Sequence, residues 1–204
     1  MKSKITMILF VLILGSSLTT ALVTVDSFTR EPIARNKAKK LQKGILSSLN
    51  IEYGEDDPNE IFSANVETIT TPGDKPKKFY RSKTSGDIAF EISGTGVQGE
   101  INATIALSPD LGQIRGISIV GQKETPGLGS RIGEAEFLNK FKDKNITSGK
   151  DKNITSGIAI VASGKAAADN EIDGITGATL SCNALEELIN SELKKYVVMF
   201  RESQ

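Results

Sequence analysis

The segment Asp173-Gly174-Ile175-Thr176-Gly177-Ala178-Thr179-Leu180-Ser181 places an acidic residue, two glycines and several hydroxyl groups directly before an amphipathic helix pattern. The first turn of a helix leaves backbone N–H groups without partners and carries partial positive charge, and glycine lets a ligand approach the backbone closely. This segment, called here the Thr179 loop (residues 173–181), therefore predicts a site for a phosphate-bearing ligand. An ordinary glycine-rich helix cap is the alternative that the residues alone leave open.

A second turn pattern lies about fifty residues earlier in the chain. It is Glu124-Thr125-Pro126-Gly127-Leu128-Gly129, called here the Pro-Gly turn (residues 124–129), and it follows the strand-like run 114–120. Proline fixes its own φ and pushes Thr125 toward extended geometry, while Gly127 and Gly129 can take positive φ. The pattern predicts a rigid turn whose backbone amides can converge on a ligand, or a purely structural reversal.

The order of the two segments resembles the family of FMN-binding domains that carry their flavin as a threonine phosphoester. In that family an acidic residue precedes Ser/Thr-Gly-Ala-Thr, another hydroxyl residue follows, and a Glu-Thr-Pro-Gly-Leu-Gly segment lies upstream against the flavin. The resemblance implies that Thr179 is esterified to the FMN phosphate by a separate flavin transferase, which recognises Asp173. It implies that the following residues line the cofactor: Thr176, Gly177, Ala178, Ser181, Glu124, Thr125, Gly127, Leu128 and Gly129.

A third and weaker pattern is Gly94-Thr95-Gly96-Val97-Gln98-Gly99, called here the glycine bend (residues 94–99). Its spacing is similar to a dinucleotide-binding fingerprint, but that motif requires a helix after the glycines. Here an alternating strand, a Pro-Asp-x-Gly turn at 108–112 and a second alternating strand follow, which predicts a β-hairpin. The family resemblance places a bend of this kind before the central strands.

The N-terminus carries a membrane-span pattern. No charged residue lies between Ile5 and Val25, and a helix over this run is long enough to cross about 30 Å of hydrocarbon at roughly 1.5 Å per residue. A cleaved signal peptide is the alternative, because Lys2 and Lys4 make a plausible basic leader. We favour a retained single-pass anchor in the lipid bilayer of the cell membrane.

Charge counting does not decide the orientation of this span. Five cations follow it, and they are Arg30, Arg35, Lys37, Lys39 and Lys40. They outnumber Lys2, Lys4 and the amino terminus on the other side, but long C-terminal domains are translocated with little regard to their charge. The family resemblance implies that the C-terminal domain lies on the extracytoplasmic side.

Composition excludes several classes of protein. The 204-residue chain has 25 basic and 25 acidic residues, no His and one Cys. Zero net charge gives no reason to expect nucleic acid as a partner. Without His, and with only Cys182, no Cys₂His₂ zinc site, four-cysteine iron–sulfur cluster or internal disulfide can form, and we expect no metal site. Redox chemistry would need an organic cofactor, and we expect Cys182 to be a small buried residue rather than a redox thiol.

The remaining patterns predict an α+β fold, with an antiparallel or mixed sheet, packed helices and one N-terminal transmembrane helix. We divide the chain into an anchor (1–26), a stalk and N-terminal part (27–78) and an FMN-binding domain (79–204). The apolar residues within 28–50 have helical spacing, which predicts a helix. This helix could continue the membrane helix, lie at the lipid surface or pack on the domain. Further predictions are a strand over 60–70, a strand starting at Phe79, a short helix from near Ser130, a loop or hairpin at the octapeptide repeat 143–157, a buried strand over 158–162 and a final helix over 181–198.

The resemblance implies a membrane-anchored electron-transfer subunit with covalent FMN, part of an ion-translocating ferredoxin:NAD oxidoreductase complex of the Rnf type. The flavin would carry the chemistry, so the chain has no catalytic residue of its own, and its partners would be the other complex subunits and the flavin transferase. The C subunit of the sodium-pumping NADH:quinone reductase, another family member, is the alternative. An anchored protein that binds another phosphate ligand noncovalently and a free-standing flavodomain with a separate reductase also stay open.

Overall fold

The computed structural model describes residues 2–54, 57–72, 76–148 and 151–202. They form two compact units, Met1–Lys40 and Leu41–Gln204. Within the described residues the α-helices are α1 (Lys2–Ser48), α2 (Pro58–Asn65), α3 (Ala135–Leu138) and α4 (Thr179–Glu202). The strands of the main sheet are β1 (Val66–Thr70), β2 (Lys78–Ser82), β3 (Ile88–Thr95), β4 (Glu100–Leu107) and β5 (Ile114–Gly121). Four short strands follow, β6 (Thr147–Ser148), β7 (Asp151–Thr155), β8 (Ala159–Val161) and β9 (Glu171–Asp173).

The first unit is the apolar part of α1. Helix α1 is long and apolar enough to cross a membrane, and its large apolar side chains between Ile5 and Ile33 are exposed, as a lipid-facing helix requires. The predicted N-terminal membrane helix is therefore confirmed as a helix of suitable length and composition. Thr19, Thr20 and Thr24 each donate a hydroxyl hydrogen bond to the carbonyl four residues earlier, which satisfies these polar groups within the helix.

The second unit is built on the five-stranded sheet, whose order is β1-β2-β3-β4-β5 with every neighbouring pair antiparallel. The hairpin predicted around residues 108–112 is the β4–β5 connection. Strands β6 and β7 lie in the octapeptide repeat and pair antiparallel, while β8 and β9 pair in parallel. Residues 149 and 150 of the predicted loop or hairpin lie outside the described residues. The predicted α+β class with an antiparallel sheet is confirmed.

Helix α4 covers one face of the sheet. All six predicted apolar positions of this helix are buried, namely Leu185, Leu188, Ile189, Leu193, Tyr196 and Val197. The ring of Tyr196 stacks on Phe90 of β3 with a centroid distance of 4.4 Å. A Cβ added at Gly94 would come within 2.7 Å of Leu188 Cδ1, so the helix lies very close to β3 at that point. The apolar face therefore fixes where the N-terminal end of α4 lies.

The opposite face of the sheet is covered by the end of α1, within the second unit. Ile45, Leu46 and Leu49 are buried against Tyr80 and Ala106. A Cβ added at Gly116 of β5 would collide with the Ser48 carbonyl oxygen, and one at Gly44 would come within 2.6 Å of Val120 Cγ2. Of the alternatives for residues 28–50, the structure shows a continuous helix whose last turns pack on the domain.

Three sequence predictions need correction. The strand predicted over 60–70 begins only at Val66, because Pro58 opens α2 and the Asp57 side chain accepts a hydrogen bond from Asn59 N–H, which caps a helix. The short helix from Ser130 is split into 3₁₀ turns around α3. The strand over 158–162 exists as β8, but its three residues are half-buried rather than buried.

Candidate functional site

The Thr179 loop connects β9 to α4. Gly177 has φ of +85°, a conformation that favours glycine, and it reverses the chain immediately before the helix. The Ala178 N–H donates to the Ile175 carbonyl at 3.0 Å, and Ala178 is buried. Helix α4 starts at Thr179, two residues earlier than predicted, so Thr179 is its first residue and is exposed. The loop thus presents a threonine to solvent at a helix N-terminus.

The Pro-Gly turn has the predicted positive φ at only one of its two glycines. Gly127 has φ of +74°, whereas Gly129 opens the 3₁₀ turn Gly129–Gly133 without a positive φ. The N–H of Gly127 donates to Ser130 Oγ, and the N–H of Leu128 donates to the Thr125 carbonyl. Two amides expected to converge on a ligand are therefore used inside the turn, and positive φ is not the reason for glycine at position 129.

The carboxylate of Glu124 connects the three glycine-containing segments. Its Oε1 accepts hydrogen bonds from the N–H groups of Val97 at 2.8 Å and Gln98 at 3.1 Å in the glycine bend. Its Oε2 accepts a hydrogen bond from Ser181 Oγ in the first turn of α4 at 2.5 Å. Glu124 and Ser181 are each 5% exposed. One buried carboxylate thus joins the Pro-Gly turn, the glycine bend and the helix that carries Thr179.

Two glycines make room for this carboxylate. A Cβ at Gly96 would approach Glu124 Oε1 to 2.5 Å, and a Cβ at Gly129 would approach Glu124 Oε2 to 2.9 Å and would collide with Ser181 Oγ. Gly129 is therefore required by close packing rather than by backbone conformation. Gly129 is also buried.

The environment of Glu124 keeps it ionised. Burial raises the pKa of its carboxyl group, while the hydrogen bonds from Ser181 Oγ, Gln98 N–H and Val97 N–H lower it, and the balance leaves the pKa below its ordinary value. The charge of the carboxylate strengthens these three hydrogen bonds. Glu124 is consequently a fixed acceptor in the protein interior and not a group that faces an open groove.

The Thr179 loop and the Pro-Gly turn touch each other. A Cβ at Gly177 would lie 3.9 Å from Leu128 Cδ2, and Leu128 itself is 53% exposed. Leu180, next to Thr179, is 69% exposed, and a Cβ at Gly127 would meet nothing within 4 Å. Exposed Leu180 thus follows Thr179 directly, exposed Leu128 lies beside Gly177, and the space next to Gly127 is open.

Two grooves border the Thr179 loop. The first has a volume of about 290 Å³ and is lined by Thr176, Gly177 and Thr179 together with Cys182 and residues 160–163. The second has a volume of about 150 Å³, and among its lining residues are Thr176, Arg131 and Lys140. The grooves share Ser163, which lies in the segment 162–168, called here the Ala-rich loop. The predicted hydroxyl residues Thr176 and Thr179 therefore line the same groove.

Asp173 is held by the Ala-rich loop. Its Oδ1 accepts hydrogen bonds from the N–H groups of Lys165 at 2.8 Å and Ala166 at 3.0 Å. The Ala166 N–H is the main cause that places the pKa of the Asp173 carboxyl below its ordinary value. Two positions earlier on β9, Glu171 Oε2 accepts from the N–H groups of Ala167 and Ala168. Both carboxylates thus bind backbone amides of one loop.

Cys182 is buried beside the Thr179 loop. Its residue is 2% exposed, and a Cβ at Gly174 would lie 3.9 Å from its Sγ. Burial raises the pKa of this thiol, which keeps it protonated and poorly reactive. The expectation of a small buried residue at the start of α4 agrees with this position.

Sequence reasoning missed two parts of this site. The N–H groups of Val97 and Gln98 hold Glu124, a role that the spacing of the glycine bend does not predict. Glu171 and the Ala-rich loop belong to none of the motifs in the sequence. The signal that could have found them is a pair of carboxylates two residues apart on a strand, which places both side chains on one face.

Comparison with known proteins finds a similar domain. A family model described as the FMN-binding domain matches residues 96–194. The C subunit of the Na(+)-translocating NADH-quinone reductase of Chlamydia trachomatis is 32% identical over 122 residues, which cover 53% of this chain and 39% of that protein. The G subunit of the ion-translocating oxidoreductase complex of Cereibacter sphaeroides is 28% identical over 124 residues, which cover 58% of this chain and 54% of that protein. The chain thus spans about half or less of the length of these relatives.

Solved structures show the same fold. The crystal structure of Shewanella oneidensis NqrC matches with a TM-score of 0.70 at 16% identity, covering 83% of this chain and 98% of that chain. The crystal structure of the C subunit of the Na(+)-translocating NADH-quinone reductase from Parabacteroides distasonis matches with a TM-score of 0.71 at 22% identity, covering 82% of this chain and 94% of that chain. These likenesses extend the domain fold well beyond the segment that the family model matches.

Proposed function

We propose that this chain, whose residues 96–194 match the FMN-binding domain family, carries FMN on Thr179 as a phosphoester. In this role it relays electrons in a membrane complex. The observation that carries the proposal is the position of Thr179. It is the exposed first residue of α4, it lines a groove of about 290 Å³, and exposed Leu180 follows it directly. A hydroxyl group placed this way is accessible to a bulky donor.

The residues of the site fit a flavin phosphate in three respects. The helix N-terminus at Thr179 favours a negatively charged group. Leu128 and Leu180 offer apolar surface for an aromatic ring system, and Gly127 leaves open space beside them. Thr176 and Gly177 line the groove with Thr179 and would contact the bound group, while buried Ala178, Glu124, Gly129 and Ser181 would hold the loops in place. Thr125, which is exposed, would lie at the edge of the site.

Attachment would be a phosphoryl transfer. Thr179 Oγ1 would form a bond to the phosphorus of a flavin phosphoanhydride, and the bond from that phosphorus to the leaving phosphate oxygen would break, with its electron pair going to the leaving group. The hydroxyl proton would pass to a base of the transferase. Asp173, the last residue of β9, is held in a fixed position and would be part of the surface that the transferase recognises.

An ester bond suits a domain that lies outside the cytoplasm. A reversibly bound flavin that dissociated there would be diluted and lost, whereas a covalent bond removes this equilibrium. When bound, FMN supplies one- and two-electron redox chemistry, and the protein supplies position and electrostatics. Thr179 would be a point of attachment, without a catalytic role in electron transfer.

The complex that we propose is an Rnf-type ion-translocating ferredoxin:NAD oxidoreductase, with this chain as its G subunit; the C subunit of a sodium-pumping NADH:quinone reductase is the alternative. Relatives from both the ion-translocating oxidoreductase complex and the Na(+)-translocating NADH-quinone reductase support an electron-transfer role. Membranes from cells that express the chain in its native complex would distinguish the two. Loss of ferredoxin:NAD activity on deletion supports the Rnf type, and loss of NADH:quinone activity supports the alternative.

The first test is the intact mass of the full chain after co-expression with a flavin transferase. We expect a gain equal to FMN minus water in the wild type, no gain in Thr179→Ala and a gain in the control Thr68→Ala, whose exposed threonine lies on β1. If the wild type gains no mass while the transferase modifies a control substrate, covalent attachment is refuted. If the native protein then carries flavin that is released on denaturation, this result would support a protein that binds a phosphate ligand noncovalently.

The proposed topology places the anchor in the cell membrane and the domain on the extracytoplasmic side. With this topology we also propose domain boundaries at residues 26 and 78. We expect a C-terminal fusion to a phosphatase that folds only outside the cytoplasm to be active, and a cytoplasm-dependent fluorescent fusion to be dark. The reverse pattern would place the domain in the cytoplasm.

A further inference from the structure

The Ala-rich loop (residues 162–168) forms part of the groove at Thr179 but has little packing of its own. Ala162 and Ser163 line that groove, and Ser163 also lines the smaller groove beside Thr176. Ala162, Ser163, Gly164 and Lys165 are all exposed. An exposed loop with small side chains gains little from apolar burial, so its conformation depends on hydrogen bonds.

Two carboxylates supply most of those hydrogen bonds, beside the backbone bonds from Lys165 N–H to the Ala162 carbonyl and from Glu171 N–H to the Ala168 carbonyl. Four consecutive backbone N–H groups, from Lys165 to Ala168, point at side chains of β9. Asp173 Oδ1 accepts from Lys165 and Ala166, and Glu171 Oε2 accepts from Ala167 at 2.8 Å and Ala168 at 3.1 Å. Hydrogen bonds to ionised acceptors are stronger than those between neutral groups. The pair thus holds the whole second half of the loop.

The strand that carries the pair is itself fixed. Ile172 lies between the two carboxylates and is 1% exposed in the core. Strand β9 pairs with β8 in parallel, and the Gly174 N–H donates to the Val161 carbonyl at 2.8 Å. Because Ile172 points into the core, Glu171 and Asp173 both point to the other face, toward the loop. The Glu171 and Asp173 side chains therefore extend from a strand that is fixed in place.

The two carboxylates also do not present free negative charge to an incoming phosphate. The amides of Ala167 and Ala168 are the main causes that lower the pKa of Glu171, with a smaller contribution from Lys144. Each ionised carboxylate is thus partly compensated by the backbone dipoles that it binds. This allows two acidic residues to lie beside a site that would receive an anionic donor.

We propose that Glu171 is a positioning residue for attachment of FMN to Thr179, acting by holding the Ala-rich loop in the conformation that completes the groove. The inference rests on the proposed covalent flavinylation. Without Glu171 the loop samples other conformations, and only a fraction of molecules has a formed groove. The apparent affinity for the transferase with its flavin donor falls in proportion to the fraction of molecules with a formed groove, while the rate within the productive complex is unchanged.

The test measures initial rates of FMN attachment by intact mass, with the full-length chain in detergent, a purified flavin transferase and its flavin donor. For Glu171→Ala we expect the apparent KM for the chain to rise roughly fivefold, the typical effect of losing one capping side chain, with kcat within about twofold. Glu171→Gln keeps an acceptor oxygen and should recover most of the affinity. The control Glu67→Ala removes an exposed carboxylate on β1 and should match the wild type.

Amide hydrogen exchange provides a readout without flavin. In Glu171→Ala the amides of Ala167 and Ala168 should lose protection, while the amides of β4 and β5 keep theirs. An unchanged KM in Glu171→Ala, or equal losses in the Ala and Gln variants, would overturn the inference. If the wild type itself gains no FMN, the proposed function fails. If the wild type is modified and Glu171→Ala is modified equally well, only the inference about Glu171 fails.

Discussion

Ser181 Oγ donates a hydrogen bond to Glu124 Oε2 across 57 positions of sequence. The acceptor belongs to the Pro-Gly turn and the donor to the first turn of α4, two residues after Thr179. Glu124 also binds two N–H groups of the glycine bend, so its carboxylate has donors on both oxygens. The exposed position of Thr179 thus depends on an interaction in the interior.

We predict that Ser181→Ala destabilises the domain. The substitution leaves Glu124 Oε2 buried without its donor, and an unsatisfied buried group of this kind costs about 1–3 kcal/mol. The free energy of unfolding of the full chain in detergent, from urea titration followed by circular dichroism, measures the effect. Ser191→Ala is the matched control on the same helix, because Ser191 is exposed and donates only to the Leu188 carbonyl. Equal effects of the two substitutions would contradict the prediction.

We predict a larger effect for Gly129→Ala than for Gly133→Ala. A Cβ at Gly129 would collide with Ser181 Oγ and crowd Glu124, whereas a Cβ at Gly133 would have its nearest contact at 3.8 Å, with Ile119. Overpacking of this kind costs about 1–3 kcal/mol. Both glycines lie in one 3₁₀ turn, so differences in helix propensity cancel. Similar urea midpoints for the two variants would show that the turn relaxes freely.

The docking of α1 residues 41–48 on the sheet can be tested with a second pair of glycines. Gly116→Ala should destabilise the domain by about 1–3 kcal/mol, because its Cβ would collide with the Ser48 carbonyl oxygen, a backbone atom that cannot move alone. Gly121→Ala, on the same strand, would meet nothing within 4 Å and should be neutral or slightly stabilising. Thermal unfolding of both variants decides the point. A neutral Gly116→Ala would mean that this contact is loose.

Acid should destabilise the domain. The pKa values of Glu124, Glu171 and Asp173 are all lower in the folded protein than their ordinary values. A lowered folded-state pKa means that the unfolded chain binds protons more readily, so the stabilising contribution is complete above the ordinary pKa and is lost as the pH falls through the folded-state pKa. Urea midpoints should be flat between about pH 7 and pH 5.5 and fall below about pH 4.5.

The contribution of Glu124 to that pH dependence can be separated. Glu124→Gln cannot lose a proton, so its midpoint should be lower than that of the wild type at neutral pH and should change less on acidification. A wild-type domain that becomes more stable between about pH 5 and pH 3.5 would contradict the lowered pKa values.

Local patterns predicted much of the fold. The apolar positions of the final helix are buried as expected, and the turn at residues 108–112 joins the two central strands. These features follow from side-chain periodicity and turn chemistry, which act over a few residues. The strand predicted over 60–70 was wrong over residues 60–65, because Asp57 and Pro58 form a helix start and this local signal outweighed the strand-like composition.

The order of residues in the Thr179 loop and the Pro-Gly turn resembles FMN-binding domains, and this local order was enough to predict which segments form the candidate site. The position and partners of each residue there follow from the packing of the chain. Thr179 is exposed while Ser181 is buried, because α4 packs on the sheet with one face and the helix period separates neighbouring positions. Glu124 is an internal acceptor and Glu171 holds a loop, because their partners are brought together by chain packing that no local pattern records.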